Sequence, residues 1–388
     1  MTASLQRPFR IAIAPDSFKG TLTSAEAAAA IVAGFRRVMP PDTAYDCIPM
    51  ADGGEGTVDA WLSATGAERV ECAAQDPLGR PIRAAYGWRE SDRTAVLELA
   101  AASGLPLLRP DERDPGATST YGTGLLLRDA IERGARRIVL GLGGSATNDA
   151  GAGILEALGA RILDAAGAPV GCGGLALAHA ATVDLEPARR ALAGIRLEAA
   201  CDVTNPLCGP EGASAIYGPQ KCNPAVPCGN LVAALDASLG AFARAVAAST
   251  GDDLSATPGT GAAGGTGFAV RAALGGALVP GAELVASAVR LDERVRACDI
   301  AVSGEGRADS QTLFGKAPSA VADAARRAGV KFALACGQVA RDAGDFGGAP
   351  AEGSIPPGSP PPPAADAAPL LSDAAERRAR RLLNDMNQ

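Results

Sequence analysis

Residues 9–41, FRIAIAPDSFKGTLTSAEAAAAIVAGFRRVMPP, contain a strand, a polar loop and a helix in immediate succession. The apolar run 9–14 is short, as is typical of a buried strand. Thr23 and Glu26 form the capping-box pattern of a helix start, and apolar residues recur at helical spacing until the prolines at 40–41. A strand that leads into a helix in this way is the repeating unit of an α/β sheet.

The same alternation returns further along the chain. We predict strands over 137–142, 160–163, 299–303 and 331–336, and helices over 123–133, 148–158, 319–328 and 370–383. Such alternation predicts a mostly parallel sheet with helices on its faces. Ligands of these sheets bind at the carboxyl ends of the strands, where the polar loops of this sequence lie.

Composition limits the classes of function that the chain can have. Its 388 residues predict two or three domains at roughly 150 residues each. A net charge of −7 argues against a general nucleic-acid binder. We find no signal peptide or uninterrupted apolar span, and the nine cysteines lack a paired spacing, so we expect a cytoplasmic protein with no membrane partner.

A glycine-rich loop, GLGGSATND at 141–149, follows the predicted strand 137–142. Small residues let backbone N–H groups approach a phosphate, and a helix N-terminus favours the anion. We therefore predict that this loop binds a cofactor phosphate; the residues concerned are Gly143, Gly144, Ser145, Thr147 and Asn148. A simple helix cap at Thr147 or Asn148 is the alternative.

The same loop has a second interpretation. Gly141, Gly143 and Ala146 match the G-x-G-x-x-A fingerprint, and Asp164 ends the next predicted strand, where a dinucleotide-binding protein has its ribose-binding acid. Asp149 argues against this interpretation, because it would bring a carboxylate close to the pyrophosphate. An NAD(P)-dependent oxidoreductase is therefore the alternative function.

Carboxylates and cations gather in other glycine-rich loops at strand ends. Asp52 in MADGGEGT, and Glu305 and Asp309 in GEGRADSQT, suit hydrated Mg²⁺, which takes one or two carboxylates together with phosphate oxygens and water. Their alternative is a set of turn acids in contact with water. Lys19, Lys221, Lys316 and Arg307 are loop cations that could anchor a phosphate or a carboxylate, and Asp202 could be a general base.

Eight blocks of this sequence, in order from residue 9 to about 335, resemble the bacterial glycerate kinase family of glyoxylate and glucarate metabolism. The blocks are IAPDSFKG (13–20), MADGGEGT (50–57), ELAAASGL (98–105), TYGTG (120–124), GLGGSATND (141–149), ACDVTNPL (200–207), YGPQK (217–221) and SGEGRADSQTLFGK (303–316). The chain departs from the family pattern at Ala150 and Cys222, where glycine is expected, and the proline-rich stretch 344–363 is unusual.

The resemblance implies two α/β domains. The first is flavodoxin-like and discontinuous, and we place it at 1–75 plus 285–388; the second is inserted at 76–284. An active site would lie in the cleft between them. The sequence leaves the oligomeric state open, and a homo-oligomer is compatible with it.

The resemblance also implies a reaction, in which ATP and Mg²⁺ phosphorylate D-glycerate to phosphoglycerate, with the 2-phosphate favoured over the 3-phosphate. On this interpretation Glu305, Asp309 or Asp52 holds Mg²⁺. The phosphate and nucleotide ligands are Gly143, Gly144, Ser145, Thr147, Asn148 and Lys316. Lys19 and Arg307 would bind the glycerate carboxylate or the transferred group, and Asp202 or Asp16 would accept the hydroxyl proton. A non-catalytic binding module is a third hypothesis, which the full set of loop acids disfavours.

Overall fold

The computed structural model describes residues 7–340 and 351–386, apart from 19, 52, 55, 310, 311 and 313–315. The chain divides into two compact units. Unit 1 comprises Met1–Asp52, Asp59–Gly66 and Ala282–Gln388, and unit 2 comprises Gly53–Val58 and Ala67–Gly281.

Strands and helices alternate along both units. The strands are β1 (Arg10–Ile13), β2 (Ala44–Cys47), β3 (Glu68–Gln75), β4 (Pro81–Arg89), β5 (Thr94–Glu98), β6 (Arg137–Gly141), β7 (Arg161–Leu163), β8 (Thr182–Asp184), β9 (Arg196–Ala200), β10 (Ala277–Val279), β11 (Ile300–Ser303), β12 (Arg307–Ala308), β13 (Lys331–Cys336), β14 (Gln338–Val339) and β15 (Glu352–Gly353). The α-helices are α1 (Ser24–Arg36), α2 (Thr57–Thr65), α3 (Ala100–Ser103), α4 (Tyr121–Glu132), α5 (Ala152–Ala157), α6 (Glu186–Ala191), α7 (Ala213–Tyr217), α8 (Gly229–Thr250), α9 (Ala262–Phe268), α10 (Gly281–Ala288), α11 (Leu291–Arg296), α12 (Ala317–Ala328) and α13 (Ala364–Met386). Short 3₁₀ turns occupy Leu105–Leu107, Pro110–Glu112, Gly174–His179 and Pro219–Lys221, and a π turn occupies Ala269–Ala273.

The described part of unit 1 is built on a five-stranded sheet in the order β15-β13-β11-β1-β2. Its neighbouring strands all pair in parallel. Counted in chain order within the unit, this is 2-1-3-4-5, the flavodoxin-like order. The predicted α/β class is confirmed, and the sheet takes its strands from the N-terminal segment and the C-terminal third.

Helix α1 packs against α13, the last helix of the chain. The predicted capping box is present, since Thr23 Oγ1 accepts from the backbone N–H of Glu26 and the Glu26 carboxylate accepts from Thr23 N. At the crossing of the two helices, a Cβ on Gly34 would lie 2.2 Å from the backbone oxygen of Ser372. Glycine at position 34 therefore lets the two helices approach closely.

Unit 2 is built on a mixed sheet, which in the described residues has six strands in the order β10-β9-β6-β5-β4-β3. β3, β4 and β5 pair antiparallel, and β5, β6, β9 and β10 pair in parallel. The predicted boundary at 75/76 differs from this division, because β3 pairs with β4 and so belongs to unit 2. The other boundary is predicted at 284/285, and in the structure the units divide nearby, at 281/282.

The helix predicted at 148–158 is shorter than expected, and α5 begins only at Ala152. Ala150 and Gly151 have φ angles of +51° and +73°, which interrupt a right-handed helix. Asp149 stabilises this turn by accepting hydrogen bonds from the backbone N–H groups of Gly151 and Gly153. The loop 141–149 therefore does not open directly onto a helix N-terminus, and that part of the prediction is wrong.

Helix α8 has the length and apolar composition of a membrane span, which we did not expect from the sequence. Its buried face nevertheless belongs to the core of unit 2, where Leu239, Phe242 and Val246 join the main hydrophobic cluster. Asp236 and Arg244 interrupt its apolar surface. These contacts are those of a core helix in a globular domain.

Gly34→Ala should lower the free energy of unfolding by about 1–3 kcal/mol, because the added methyl group forces α1 and α13 apart. Urea denaturation followed by circular dichroism measures the change. The control is Ala33→Ser at the adjacent exposed position of α1, which should stay within about 0.5 kcal/mol. A Gly34→Ala variant as stable as the unaltered protein would contradict the proposed close contact.

Candidate active site

In unit 1 the loops that follow β1, β11 and β13 meet at the carboxyl edge of the sheet. The backbone N–H of Asp16 donates to Gly304 O at 2.8 Å, and Gly337 N donates to Glu305 O at 3.0 Å. β1 and β11 are the neighbours between which the strand order reverses, and such a switch point is where ligands of open α/β sheets bind. We call Asp16, residues 304–309 and Lys316 the unit 1 loop cluster.

Glu305 is the most buried acid of this cluster, with 6% of its surface exposed. Lys316 Nζ lies 3.5 Å from Glu305 Oε2 and 3.8 Å from a carboxylate oxygen of Asp309. Among the described atoms, Glu305 Oε1 is buried without a hydrogen-bond partner. Burial raises the pKa of Glu305, while a hydrogen bond from Thr312 and the charge of Lys316 oppose that shift.

Two carboxylates, with one buried oxygen that has no partner in the described part of the chain, are a donor set that fits Mg²⁺, a hard cation that prefers oxygen ligands. The structure thus brings together two of the predicted metal ligands, Glu305 and Asp309. Lys316, predicted to bind the nucleotide, lies against both of them. Arg307 is exposed on the short strand β12, which pairs with β14. Two further predicted residues, Lys19 and Asp52, lie outside the described residues.

In unit 2 a second group of loops lies at the carboxyl ends of β6 and β9. A Cβ on Gly53 would lie 2.2 Å from the Ala200 methyl group, and one on Gly141 would lie 2.5 Å from Gly53 O. Asp202, exposed just after β9, accepts a hydrogen bond from Gly281 N at 2.8 Å. We call Gly53, residues 141–149 and Asp202 the unit 2 loop cluster.

Gly143 and Gly144 are the accessible part of the 141–149 loop. Gly144 is exposed with a φ of +74°, and Gly143 is half-buried. The backbone of the loop is held by Leu105 N, which donates to Gly144 O at 2.9 Å, and by Ala146 N, which donates to Ser103 O at 2.9 Å. This arrangement leaves the turn at the glycines as the segment that a phosphate can approach.

Thr147 and Asn148, also predicted to bind the cofactor, have fully buried side chains. Asn148 Nδ2 donates to Ser214 Oγ at 2.9 Å, and Thr147 Oγ1 lies 3.1 Å from Ser145 Oγ. These side chains make contacts inside unit 2. They can therefore affect a bound ligand only by fixing the conformation of the loop.

The sequence does not predict the burial of two ionisable residues of this region, Asp149 in the loop and Lys221 against it; Asp149 is not a predicted ligand, and Lys221 is predicted as a loop cation. Asp149 accepts from Thr120 N at 2.7 Å and Thr120 Oγ1 at 2.8 Å, and burial raises its pKa. Lys221 is buried with its ammonium group against the same loop. Both stand in blocks of the family pattern, but their spacing in the sequence gives no sign of burial.

The dinucleotide interpretation of the loop does not fit the structure. β7, which Asp164 follows, pairs antiparallel with β8 rather than with β6. Asp164 Oδ1 accepts from Ala166 N and Ala168 N, both at 2.9 Å, as the acid of a tight turn. The parallel neighbours of β6 are β5 and β9, so Asp164, the acid that the fingerprint would use, does not follow a strand beside β6.

Comparison with known proteins identifies the family to which the chain belongs. The family model described as Glycerate kinase family matches residues 11–383. The chain belongs to the glycerate kinase family. It is 44% identical over 333 residues to a glycerate kinase of Bacillus subtilis (strain 168), covering 86% of each chain. It is also 44% identical over 319 residues, 82% of each chain, to the glycerate 2-kinase of Escherichia coli (strain K12).

A crystal structure gives the same result for the fold. A protein of Salmonella typhimurium LT2 with the provisional name glycerate kinase 2 matches with a TM-score of 0.87 and 39% identity. The match covers 98% of this chain and 100% of that one. Membership of the glycerate kinase family makes the chain a phosphotransferase, and the oxidoreductase alternative finds no support.

Glu305→Gln in this glycerate kinase should raise the free energy of unfolding by about 1 kcal/mol at pH 8 in metal-free buffer. Folding raises the pKa of Glu305, so the native state binds its proton more tightly than the unfolded chain does. Stability therefore falls as pH rises above the ordinary carboxylate pKa, and the charged form is the costly one at pH 8. The gain should shrink toward pH 5.

Thermal unfolding with EDTA, measured at both pH values, tests this expectation. Glu293→Gln, at an exposed position of α11 in the same unit, is the control and should change stability by less than about 0.5 kcal/mol. The expectation is contradicted if the stability difference between Glu305→Gln and the unaltered enzyme is less favourable to the variant at pH 8 than at pH 5. That result would mean that the protein compensates the charge of Glu305.

Proposed function

We propose that this chain transfers the γ-phosphoryl group of ATP, with Mg²⁺, to the 2-hydroxyl group of D-glycerate and releases 2-phosphoglycerate. The observation that carries the proposal is a buried oxygen of Glu305 that has no hydrogen-bond partner among the described residues, beside Asp309 and Lys316 at the switch point of the sheet. Membership of the glycerate kinase family supports the substrate, and the name of the Escherichia coli relative, glycerate 2-kinase, supports the position of the phosphate. We place the reaction in the cytoplasm.

Glu305 and Asp309 would hold the metal ion, and Asp52 is a third candidate ligand. When bound, Mg²⁺ neutralises charge on the phosphate oxygens and so favours phosphoryl transfer. Lys316 balances the two carboxylates in the absence of a cation and can turn toward the phosphates, since its side chain is 37% exposed. The protein would contribute by holding these two carboxylates close together at the edge of the sheet, where they can bind the metal ion.

The unit 2 loop cluster would bind phosphate oxygens. Backbone N–H groups at Gly143 and Gly144 are suited to this, because the absence of side chains permits close approach. Ser145 adds a hydroxyl group, while Thr147 and Asn148 act by shaping the turn. Lys19 and Arg307 would bind the glycerate carboxylate or the transferred phosphoryl group, for which a cation is required.

A general base would accept the proton of the glycerate hydroxyl group. Asp202 and Asp16 are the two candidates. Asp202 is exposed, and its carboxylate is oriented by Gly281 N. Asp16 is half-buried, and its Oδ1 accepts from Ser17 N at 2.6 Å. Both follow parallel strands at their carboxyl ends, so the geometry within each unit suits either role.

The purified enzyme should convert ATP and D-glycerate to ADP and 2-phosphoglycerate only when Mg²⁺ is present. Phosphorus NMR against standards of both phosphoglycerates identifies the product, and EDTA should abolish turnover. L-glycerate is the matched control substrate. Formation of 3-phosphoglycerate would refute the proposed position of transfer, and absence of any product would refute the substrate.

Asp202→Asn and Asp16→Asn separate the candidate bases. Loss of the base should lower kcat by roughly 10²-fold or more, because proton transfer in the transition state contributes about that much. The other variant should keep its kcat within about tenfold. Steady-state kinetics at saturating ATP make the comparison, and near-normal turnover in both variants would exclude a carboxylate base at either position.

A further inference from the structure

Lys221 is a lysine in a place where lysine is rarely found. It ends the 3₁₀ turn Pro219–Lys221, and only 2% of its surface is exposed. Lysine is almost never fully buried unless its ammonium group has partners. Here Nζ donates to Thr147 O at 2.6 Å and to Ser145 Oγ at 3.3 Å, so both partners belong to the glycine-rich loop.

Stability alone does not favour this residue. Burial lowers the pKa of Lys221 to about 7, against the opposing charge of Asp149, which shows that the surroundings disfavour its charged form. Buried charged groups can often be replaced by apolar side chains of similar volume without loss of stability. Packing therefore does not explain why position 221 is a lysine, whereas a role in fixing the loop does.

The segment that carries Lys221 holds the loop at a second point. Helix α7 lies just before it, and Ser214 of α7 accepts from Asn148 Nδ2 at 2.9 Å. From another direction the glycine-rich turn at 261–265 presses on the loop: a Cβ on Gly264 would lie 2.0 Å from Thr147 O, and Ala150 N donates to Gly264 O at 2.9 Å. The Ser145–Asn148 turn is thus fixed from several sides.

The hydrogen bonds around Ser145 have a consequence for its hydroxyl group. Ser145 Oγ lies 3.3 Å from Lys221 Nζ and accepts from Thr147 N at 3.2 Å. A hydroxyl group has two acceptor sites and one proton to donate. With both acceptor sites engaged, the proton is left to donate, either to protein acceptors at 3.1–3.4 Å or to an incoming oxygen.

We infer that Lys221 is a positioning residue for phosphoryl transfer: its Nζ fixes the Ser145–Thr147 turn so that Ser145 and the Gly143–Gly144 amides donate to a phosphate of the nucleotide. This inference rests on the proposed function. It extends that function to a residue that is too deeply buried to touch the substrates itself.

Lys221→Met, which keeps the length of the side chain but removes the donor, tests the inference. A displaced phosphate cradle should lower kcat/KM for ATP by about 10²-fold, because errors near 1 Å have effects of that size. KM for D-glycerate should stay within about twofold. Isothermal calorimetry with ADP·Mg²⁺ should show a weaker affinity that matches the change in kinetics. The control is Lys331→Met, at the exposed first residue of β13, which should leave both measurements unchanged.

Two further variants separate positioning from a general loss of structure. Lys221→Gln retains an N–H donor without a charge and should restore part of the nucleotide affinity; it also carries the comparison if the methionine variant does not fold. In a double-mutant cycle, Ser145→Ala should have a smaller effect on nucleotide affinity in the Lys221→Met background than alone, because both changes act on one turn.

Two results would overturn the inference. One is unchanged nucleotide affinity in a folded Lys221→Met variant, whatever its kcat/KM, and the other is full additivity of the cycle. If the unaltered enzyme binds ADP but does not phosphorylate glycerate, only the proposed function fails, and calorimetry still decides the role of Lys221. If the unaltered enzyme binds no nucleotide, both proposals fail.

Discussion

The parallel pairing of β1 with β11 is the contact on which unit 1 depends. It sets Ile11 opposite Ile300 and Ile13 opposite Val302, joining the first strand of the chain to one that follows all of unit 2. The ladder places the loop after β1 beside the loop after β11, where Asp16 N meets Gly304 O. Without this pairing neither the switch point nor the carboxylate pair at Glu305 and Asp309 would lie beside Asp16.

Each unit keeps a buried ionisable group directly behind an exposed polar loop. In unit 1 it is Glu305, and in unit 2 it is Lys221, with the buried Asp149 at the end of the loop that Lys221 contacts. Burial raises the pKa of Glu305 and Asp149 and lowers the pKa of Lys221, which in each case favours the neutral form. In their charged state these groups therefore lower the stability of the fold. Buried ionisable residues with shifted pKa values are concentrated at ligand-binding and catalytic sites, where a fixed charge contributes to function although it costs stability.

Local patterns in the sequence predict much of this fold, since they depend on neighbours a few residues apart. The capping box at Thr23 is present as predicted, and strand β13 has the predicted bounds, 331–336. The α/β class is confirmed, and the strand order of unit 1 is consistent with the flavodoxin-like domain inferred from the family blocks.

The errors arise where distant contacts decide the structure. The helix predicted from 148 loses its first turn to the left-handed backbone at Ala150 and Gly151, which packs against the turn at 261–265. Asp164 follows β7, but β7 pairs with β8 in a separate two-stranded sheet and is not part of the six-stranded sheet. The burial of Lys221 depends on α7 and on the glycine loop together, and no spacing in one segment encodes it. The predicted roles of Asp16, Asp202 and Arg307 stay predictions.

The insertion of unit 2 within unit 1 also affects how the chain matures on the ribosome. β1 emerges first, and β2 can join it early, but the other edge of β1 has no partner until β11 is made. At the usual speed of translation that delay is roughly 15–60 s, during which unit 2 can fold on its own. An apolar strand left open for so long is a target for nascent-chain chaperones and a hazard for aggregation, and the hazard grows as translation slows.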